Sequence, residues 1–135
     1  MESTINIALA TSVDNQPNVR IVTYGYDPAN PKTLYFTTFK GNKKIQEFEQ
    51  NEKIALIPLL EDPDVLVDTD QVQVRIFGSV QKAKKSLDEV ASLILKKAPF
   101  FAETLTQREF LEVYEVVFEQ AFITIGMEDA RVLEL

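Results

Sequence analysis

The chain of 135 residues contains no cysteine, no histidine and no tryptophan. The missing cysteines exclude disulfide bonds and thiolate nucleophiles. Without histidine, the usual zinc sites, Ser-His-Asp triads and imidazole haem ligands are excluded as well. Only carboxylate and carbonyl oxygens remain as metal ligands, and we expect no metal site.

The chain also lacks a positive net charge and long apolar runs. Its formal net charge is −7, which disfavours nucleic acid and anionic membrane surfaces as partners. No apolar segment approaches the ~20 residues needed to cross a bilayer, and no cleavable leader is visible at the N-terminus. We therefore expect a cytoplasmic protein with neither a membrane nor a nucleic acid as partner.

The size and composition are those of one ordinary globular domain. Hydrophobic residues make up 45% of the chain and charged residues 26%, which supports a packed core. There are no repeats, low-complexity tracts or linkers, so a single domain over residues 1–135 is predicted.

Alternating apolar and polar or small side chains predict β-strands along most of the chain. We predict strands at residues 5–13, 18–26, 33–38, 53–60, 71–81 and 114–125, and a short last strand at 131–135. Residues 14–17 have turn chemistry, and a change of apolar phase predicts a bulge near Glu119 and Gln120. Gly78 interrupts its strand and indicates a bulge or a close backbone approach.

Capping residues predict the helices. Asn42 is a suitable N-cap for a helix to about Asn51. Ser86 and Glu89 form a capping box for a helix that stops before Pro99. Thr106 and Glu109 resemble a second box, for a short helix. About six strands, mostly in hairpin order with few helices, predict a small antiparallel barrel.

The segment 34–45 is the most informative part of the sequence. A strand ends in Thr37 and Thr38, a turn follows, and a helix begins with Lys43 and Lys44. Helix N-termini already carry partial positive charge and favour acids there, so paired lysines in an acidic protein are unusual. Hydroxyls, free helix N–H groups and ammonium groups together suit a bound phosphate. Alternatively, the threonines are ordinary strand residues and the lysines are solvated.

Two further polar residues lie within predicted strands. Arg20 is flanked by apolar residues and either pairs with a carboxylate, faces solvent or reaches the same phosphate, provided that its strand neighbours the third strand. Gln73 shares a strand face with Arg75; such a glutamine usually faces water, but it is also able to hydrogen-bond a planar heterocycle.

Two charged segments have simpler interpretations. Lys82, Lys84 and Lys85 precede a helix cap and are interpreted as a solvated face. The acidic residues between 61 and 70 lack the EF-hand spacing of a calcium site and are interpreted as a solubilising loop.

Several short segments in order carry a family resemblance: residues 10–14, Pro17, Arg20–Val22, Leu34–Thr38, Lys43–Lys44, Asn51, residues 54–56 and 74–78. Together they resemble the pyridoxamine 5'-phosphate oxidase-like family of FMN-binding proteins. The similarity extends from about residue 5 to residue 80, and less firmly through 112–126.

The resemblance implies a mainly β fold, a six-stranded antiparallel split β-barrel of the FMN-binding type. It also implies a homodimer with FMN in the groove between subunits. The cofactor-binding residues that it implies are Arg20, Ile21, Val22, Thr37, Thr38, Lys43, Lys44 and Gln73. Arg20 and the two lysines would contact the phosphate, and Gln73 the flavin ring. Lys43 stands where the family often has arginine, so it keeps the charge and loses bidentate geometry.

The chain also departs from the family pattern. True pyridoxamine 5'-phosphate oxidases have a C-terminal segment with a tryptophan and Arg-x-His-type residues, and nothing similar is present here. The short helix usual before the first strand is missing too. Oxidation of pyridoxamine phosphate is therefore not expected, and the small general-stress-type members look most similar.

Two functions remain open at this point. The first is a small FMN-dependent oxidoreductase that passes electrons from a small-molecule donor, such as a reduced nicotinamide, to an unidentified acceptor. The second is a non-catalytic module on the same barrel that stores or senses a flavin, a deazaflavin or haem. No side chain is an evident acid or base, so the catalytic residues are unknown.

Overall fold

A computed structural model describes residues 4–59, 72–125 and 128–135. Within them the strands are β1 (Asn6–Val13), β2 (Gln16–Thr23), β3 (Gly25–Tyr26), β4 (Thr33–Phe39), β5 (Lys53–Leu59), β6 (Val72–Lys82), β7 (Leu111–Ile125) and β8 (Glu128–Glu134). The α-helices are α1 (Lys43–Gln50) and α2 (Leu87–Leu95), and 3-10 helices cover Pro99–Ala102 and Thr104–Phe110. The acidic segment 61–70 lies outside the described residues.

The strands form one antiparallel sheet in the order β2-β1-β5-β6-β7-β4-β3, with β8 added to β7. The sheet curls into a half-barrel, which confirms the mainly β split-barrel prediction. Eight strands are described rather than six, a minor difference.

The predicted second strand, residues 18–26, is in fact two strands at opposite ends of the sheet. β2 pairs with β1, whereas β3 pairs with β4. The strand is interrupted at Tyr24. The side chain of Tyr24 is fully buried, and its backbone N–H donates to the Ile5 carbonyl oxygen. Gly25 then passes so close to α2 that a Cβ would stand 2.8 Å from the Cβ of Leu93. The sequence did not indicate this interruption, because most of residues 18–26 favour a β-strand and the interruption is caused by packing against distant residues.

The β1–β2 hairpin has a tighter turn than the sequence predicted. Asp14 and Asn15 have φ angles of 52° and 65° and make a two-residue turn with both φ positive, as in type I′ hairpins. Gln16 and Pro17 already belong to β2, opposite Val13 and Ser12. Pro17 is tolerated there because β2 is an edge strand and one side of its backbone needs no partner.

The predicted bulge in the long strand is confirmed. Phe77 lies opposite Gln120 and Gly78 lies opposite Phe118, so Glu119 is the extra residue of β7. Gly78 marks a close approach as well, because a Cβ there would stand 2.2 Å from the Val117 carbonyl oxygen.

Two of the three predicted helix starts are confirmed. Asn42 caps α1 by accepting a hydrogen bond from the Lys44 backbone N–H, and Ser86 and Glu89 form a complete capping box for α2. The proposed box at Thr106 is wrong. The 3-10 helix begins at Thr104, and the Thr106 hydroxyl donates back to the Glu103 carbonyl oxygen instead of capping.

The apolar residues form two layers. Inside the barrel lie Ile7, Leu9, Phe36, Leu56 and Val116 with their neighbours. Outside it, α2 packs against Tyr35 through Val90 and Ile94. β4 serves both layers because successive strand residues face opposite sides. Throughout the described ranges, every helix is too short or too polar to cross a membrane.

Candidate functional site

A cavity of about 220 Å³ lies where β4 ends and α1 begins. Its lining residues include the following: Ile21, Val22, Thr23, Thr37, Thr38, Phe39, Asn42, Lys44, Phe100, Phe101, Thr104 and Leu111. The strand-end threonines, the helix cap and one lysine of the segment 34–45 thus come together around one space.

The cavity is built from both ends of the curled sheet. The expectation that the Arg20 strand neighbours the third strand is wrong, because β2 pairs with β1 and β4 pairs with β7 and β3. Ile21 and Val22 of β2 nevertheless line the same cavity as Thr37 and Thr38 of β4. Curvature of the sheet, rather than strand pairing, brings these residues together.

Lys44 places an ammonium group at this cavity. Its Nζ lies 5.9 Å from the ring centroid of Phe36, within the range of a cation–π contact. Burial lowers the pKa of Lys44 and the charge of Arg20 lowers it further, so the two cations are electrostatic neighbours. A poorly solvated ammonium beside a second cation is stabilised by an anion.

Arg20 is held by the carboxylate of Glu47 in α1. Arg20 Nη2 donates to both carboxylate oxygens, at 3.1 Å and 3.0 Å. Asn18 Nδ2 donates to Glu47 at 3.1 Å, and the Thr11 hydroxyl also donates to it. β1, β2 and α1 are therefore joined by one largely buried polar cluster.

The pKa of Glu47 is the balance of opposing effects. Burial raises it, but the hydrogen bonds from Thr11, Arg20 and Asn18, together with the charge of Arg20, outweigh burial. The net effect lowers the pKa below its ordinary value of 4.5. Glu47 therefore carries a negative charge at neutral pH and offsets the charge of Arg20.

Two polar atoms in this region have no hydrogen-bond partner. Among the described residues, Arg20 Nη1 and Thr38 Oγ1 are the buried side-chain polar atoms left unsatisfied. Unpaired buried polar groups are costly and rare, and they often mark a functional site. A guanidinium N–H and a hydroxyl are both able to donate to the oxygen of an anion.

Lys43 does not join Lys44 at this cavity. It is exposed and lines a separate polar pocket with Asn18, Gln46, Glu47 and Gln50. Adjacent helix residues point about 100° apart, so the two ammonium groups diverge. The helical period was available in the sequence and already indicated this separation.

Gln73 lies apart from the cavity as well. It is exposed on β6, opposite Thr124 of β7, and is not among the cavity-lining residues. Within one subunit, the structure brings Ile21, Val22, Thr37, Thr38 and Lys44 to the cavity and leaves Lys43 and Gln73 elsewhere. Arg20 does not line the cavity, but its charge acts on Lys44.

Sequence reasoning missed Glu47. An acidic residue between Ile45 and Phe48, on the inner side of an amphipathic helix, was the available signal. A buried carboxylate requires a partner, and Arg20 is the partner that the structure provides.

Sequence comparison assigns the chain to a family. The family model described as "Pyridoxamine 5'-phosphate oxidase-like" matches residues 1–130. The protein belongs to the pyridoxamine 5'-phosphate oxidase-like family, as its short segments indicated. No curated protein matches it in sequence.

Solved structures show the same fold at low sequence identity. A heme binding protein from Mycobacterium smegmatis is similar with a TM-score of 0.70 and 14% identity, over 98% of this chain and 53% of that one. A protein related to general stress protein 26, from Clostridium acetobutylicum, has a TM-score of 0.72 and 11% identity, over 99% and 88%. HutZ, the heme storage protein from Vibrio cholerae, has a TM-score of 0.71 and 14% identity, over 93% and 90%.

These similarities establish the fold. The chain spans about half the length of the mycobacterial protein and most of the length of the other two. Proteins on this fold include ones described as binding or storing heme, so the cofactor of this chain must be argued from its own residues.

Proposed function

We propose that this protein is an FMN-binding flavoprotein whose phosphate anchor lies at the cavity between β4 and α1. The observation that supports this most directly is the pair of unsatisfied buried atoms, Arg20 Nη1 and Thr38 Oγ1. Both suit a phosphate oxygen, and the half-buried ammonium of Lys44 adds positive charge beside them.

The residues present fit a phosphate group. Lys44 lines the cavity, and no carboxylate is among the described residues that line it. Arg20 lies near Lys44 without lining the cavity and is paired with Glu47. Asn42 caps α1 at the same place, where the first helix N–H groups point outward. Ile21, Val22 and Phe39 supply apolar surface for the less polar part of a ligand.

We also propose that the functional unit is a homodimer with the cofactor between subunits. At about 220 Å³ the cavity is smaller than the roughly 300 Å³ at which ligand pockets begin. Ile21 and Phe100 line it, yet they are 69% and 61% exposed. A second subunit against these residues would enlarge the site, and Gln73, which lies away from the cavity of its own subunit, would be available to the cofactor of the other.

The proposed activity is electron transfer from a small-molecule donor to an acceptor. Bound FMN would supply the redox chemistry, since the chain contains no cysteine thiol that could do so. The protein itself would bind the phosphate through Arg20, Thr38 and Lys44 and would exclude water from the apolar side of the site.

Titration with FMN tests the cofactor assignment. We expect protein binding to change FMN fluorescence and absorbance with a micromolar or lower Kd. Riboflavin, which has the same ring without the phosphate, should bind at least tenfold more weakly if the phosphate is anchored as proposed. Equal affinities would show that the phosphate is not recognised, and no binding of FMN would refute the assignment.

Anaerobic mixing separates an oxidoreductase from a storage or sensing module. With NADH or NADPH, the flavin absorbance near 450 nm should disappear within seconds to minutes for the oxidoreductase. Free FMN mixed with the same donors is the control. If the bound flavin stays oxidised with both donors, as the free FMN of the control does, a non-catalytic module is favoured.

Haem is the second candidate, because structurally similar proteins are described as binding or storing heme. The chain contains neither histidine nor cysteine, the common haem ligands. Haem would therefore have to be held through its propionates and apolar face, or through a tyrosine. A hemin titration run beside the FMN titration decides this, because a sharp Soret shift at one equivalent is expected only for a specific haem site.

A further inference from the structure

Glu47 changes the charge of the proposed anion site. Arg20 and Lys44 contribute two positive charges, and the carboxylate bonded to Arg20 returns one negative charge. The cluster therefore carries one net positive charge, although an FMN phosphate carries nearly two negative charges at pH 7. The carboxylate on Arg20 weakens the attraction of the site for a doubly charged anion more than for a singly charged one.

We infer that Glu47 is a specificity-determining residue that lowers the affinity of the site for doubly charged phosphate relative to singly charged anions. FMN is then an exchangeable ligand rather than a permanently bound one. This inference rests on the proposed function, because it concerns the same phosphate site. It follows from geometry, since Glu47 is bonded to Nη2 of Arg20 while Nη1 of the same guanidinium is unsatisfied.

The electrostatic effect is separable from the structural one. In Glu47→Gln, the amide oxygen is able to accept from Asn18 and from Arg20, and the amide NH₂ to donate to the Thr11 hydroxyl, whose proton turns away. The second contact of Arg20, to the other carboxylate oxygen, is lost because the amide NH₂ there cannot accept. Three of the four hydrogen bonds to this side chain persist, and the negative charge is lost. The other charged residues at the polar pocket beside Glu47 are Asp14 and Lys43, which the substitution leaves in place.

The experiment measures two simple probes with the full chain. Methyl phosphate is largely a dianion at pH 8, and dimethyl phosphate is a monoanion with the same phosphoryl chemistry. Dissociation constants are measured by ³¹P NMR or calorimetry for the parent, Glu47→Gln and Glu47→Asp. Glu49→Gln is the matched control, because it removes one negative charge from an exposed position of the same helix.

The expected result depends on the charge of the probe. Removing a nearby unit charge in a partly buried site should tighten monoanion binding roughly tenfold and dianion binding roughly a hundredfold. The ratio of the two Kd values therefore shifts about tenfold in Glu47→Gln. It should stay at the parent value in Glu47→Asp, which keeps the charge, and in Glu49→Gln. A purely structural role would change both probes by the same factor and would overturn the inference.

The failure of this inference is distinguishable from failure of the FMN proposal. If both probes bind and their ratio does not shift, Glu47 is not a specificity residue, and the anion site stands. If FMN fails to bind but the probe ratio shifts as expected, FMN is wrong and the role of Glu47 stands. If Glu47→Gln does not fold, the ratio of the two Kd values measured for the parent protein still decides. A preference above about tenfold for the dianion would contradict the proposal that Glu47 offsets the charge of Arg20, and a smaller preference would support it. If neither probe binds any of these proteins, the inference about Glu47 fails, and the FMN titration alone decides the cofactor proposal.

Discussion

Gly78 of β6 and Val117 of β7 approach so closely that a Cβ on Gly78 would stand 2.2 Å from the Val117 carbonyl oxygen. The obstacle is backbone, which cannot rotate away. We predict that Gly78→Ala destabilises the protein by about 3 kcal/mol, at the upper end of overpacking costs. Urea denaturation measures this as a lower midpoint. Gly41→Asn is the control, because Gly41 has a φ of 77° with open space around it, and Asn tolerates that conformation. Similar urea midpoints for the two variants would contradict the prediction and would mean that the backbone at the bulge shifts to accommodate a methyl group.

The two lysines at the start of α1 provide a matched test of the anion site. Lys44→Glu places a carboxylate at the cavity, and like charges at short range are costly, so FMN affinity should fall by at least about 100-fold. Lys43→Glu makes the same change in net charge on the same helix, but Lys43 lies at a different pocket. We expect an effect below about fivefold there, measured by fluorescence titration. Equal losses of FMN affinity in both variants would contradict the assigned site, because they would mean that the anion does not lie closer to Lys44 than to Lys43.

We predict that the Thr38 hydroxyl lowers the stability of the ligand-free protein and raises its affinity for FMN. Its buried hydroxyl has no partner, so Thr38→Val removes an unsatisfied polar group. The ligand-free protein should be unchanged or up to about 1 kcal/mol more stable, while the affinity for FMN should fall about tenfold. Thermal unfolding and titration of the same sample measure both quantities.

Thr11→Val is the contrasting variant for Thr38→Val. Both threonines are 4% exposed, but the Thr11 hydroxyl donates to Glu47. Removing a hydrogen bond to a charged group should cost about 2 kcal/mol. Opposite signs for the two variants are expected. If Thr38→Val destabilises as much as Thr11→Val, its hydroxyl has a partner in solution.

The stability that Glu47 contributes should disappear in acid. Its pKa is lowered in the folded protein, so its contribution is complete above its ordinary pKa of 4.5 and is lost as the pH falls through the folded value. We predict that the parent is more stable than Glu47→Gln by about 2 kcal/mol at pH 7. This gap should begin to narrow below about pH 4.5. Urea midpoints for both proteins between pH 7 and pH 3 measure it, and a gap that stays constant to pH 3 would contradict the lowered pKa.

Local signals in the sequence were reliable where the chain interacts with itself at short range. The Asn42 cap, the Ser86–Glu89 box and the bulge at Glu119 were each predicted, because each depends on hydrogen bonds or side-chain alternation within a few residues. The Thr106 box failed, because a hydroxyl can also donate to the carbonyl three residues earlier, and the sequence does not distinguish the two.

Contacts between distant segments were not predictable in the same way. The break of the second strand at Tyr24 depends on Ile5 and on α2, about 70 residues later. The pairing of Arg20 with Glu47 joins residues 27 positions apart, and the sequence offered a carboxylate only as one of three possible partners for this arginine.

The sequence alone determined the strand-rich class of the fold, the starts of both α-helices and the family, because periodicity, caps and short motifs act locally. Only the tertiary structure decided which of two adjacent lysines faces the cavity and which carboxylate offsets Arg20. It also decided that the ends of β2 and β4 meet without pairing. These outcomes depend on the curvature of the sheet and on burial, which arise only when segments far apart in the chain pack together.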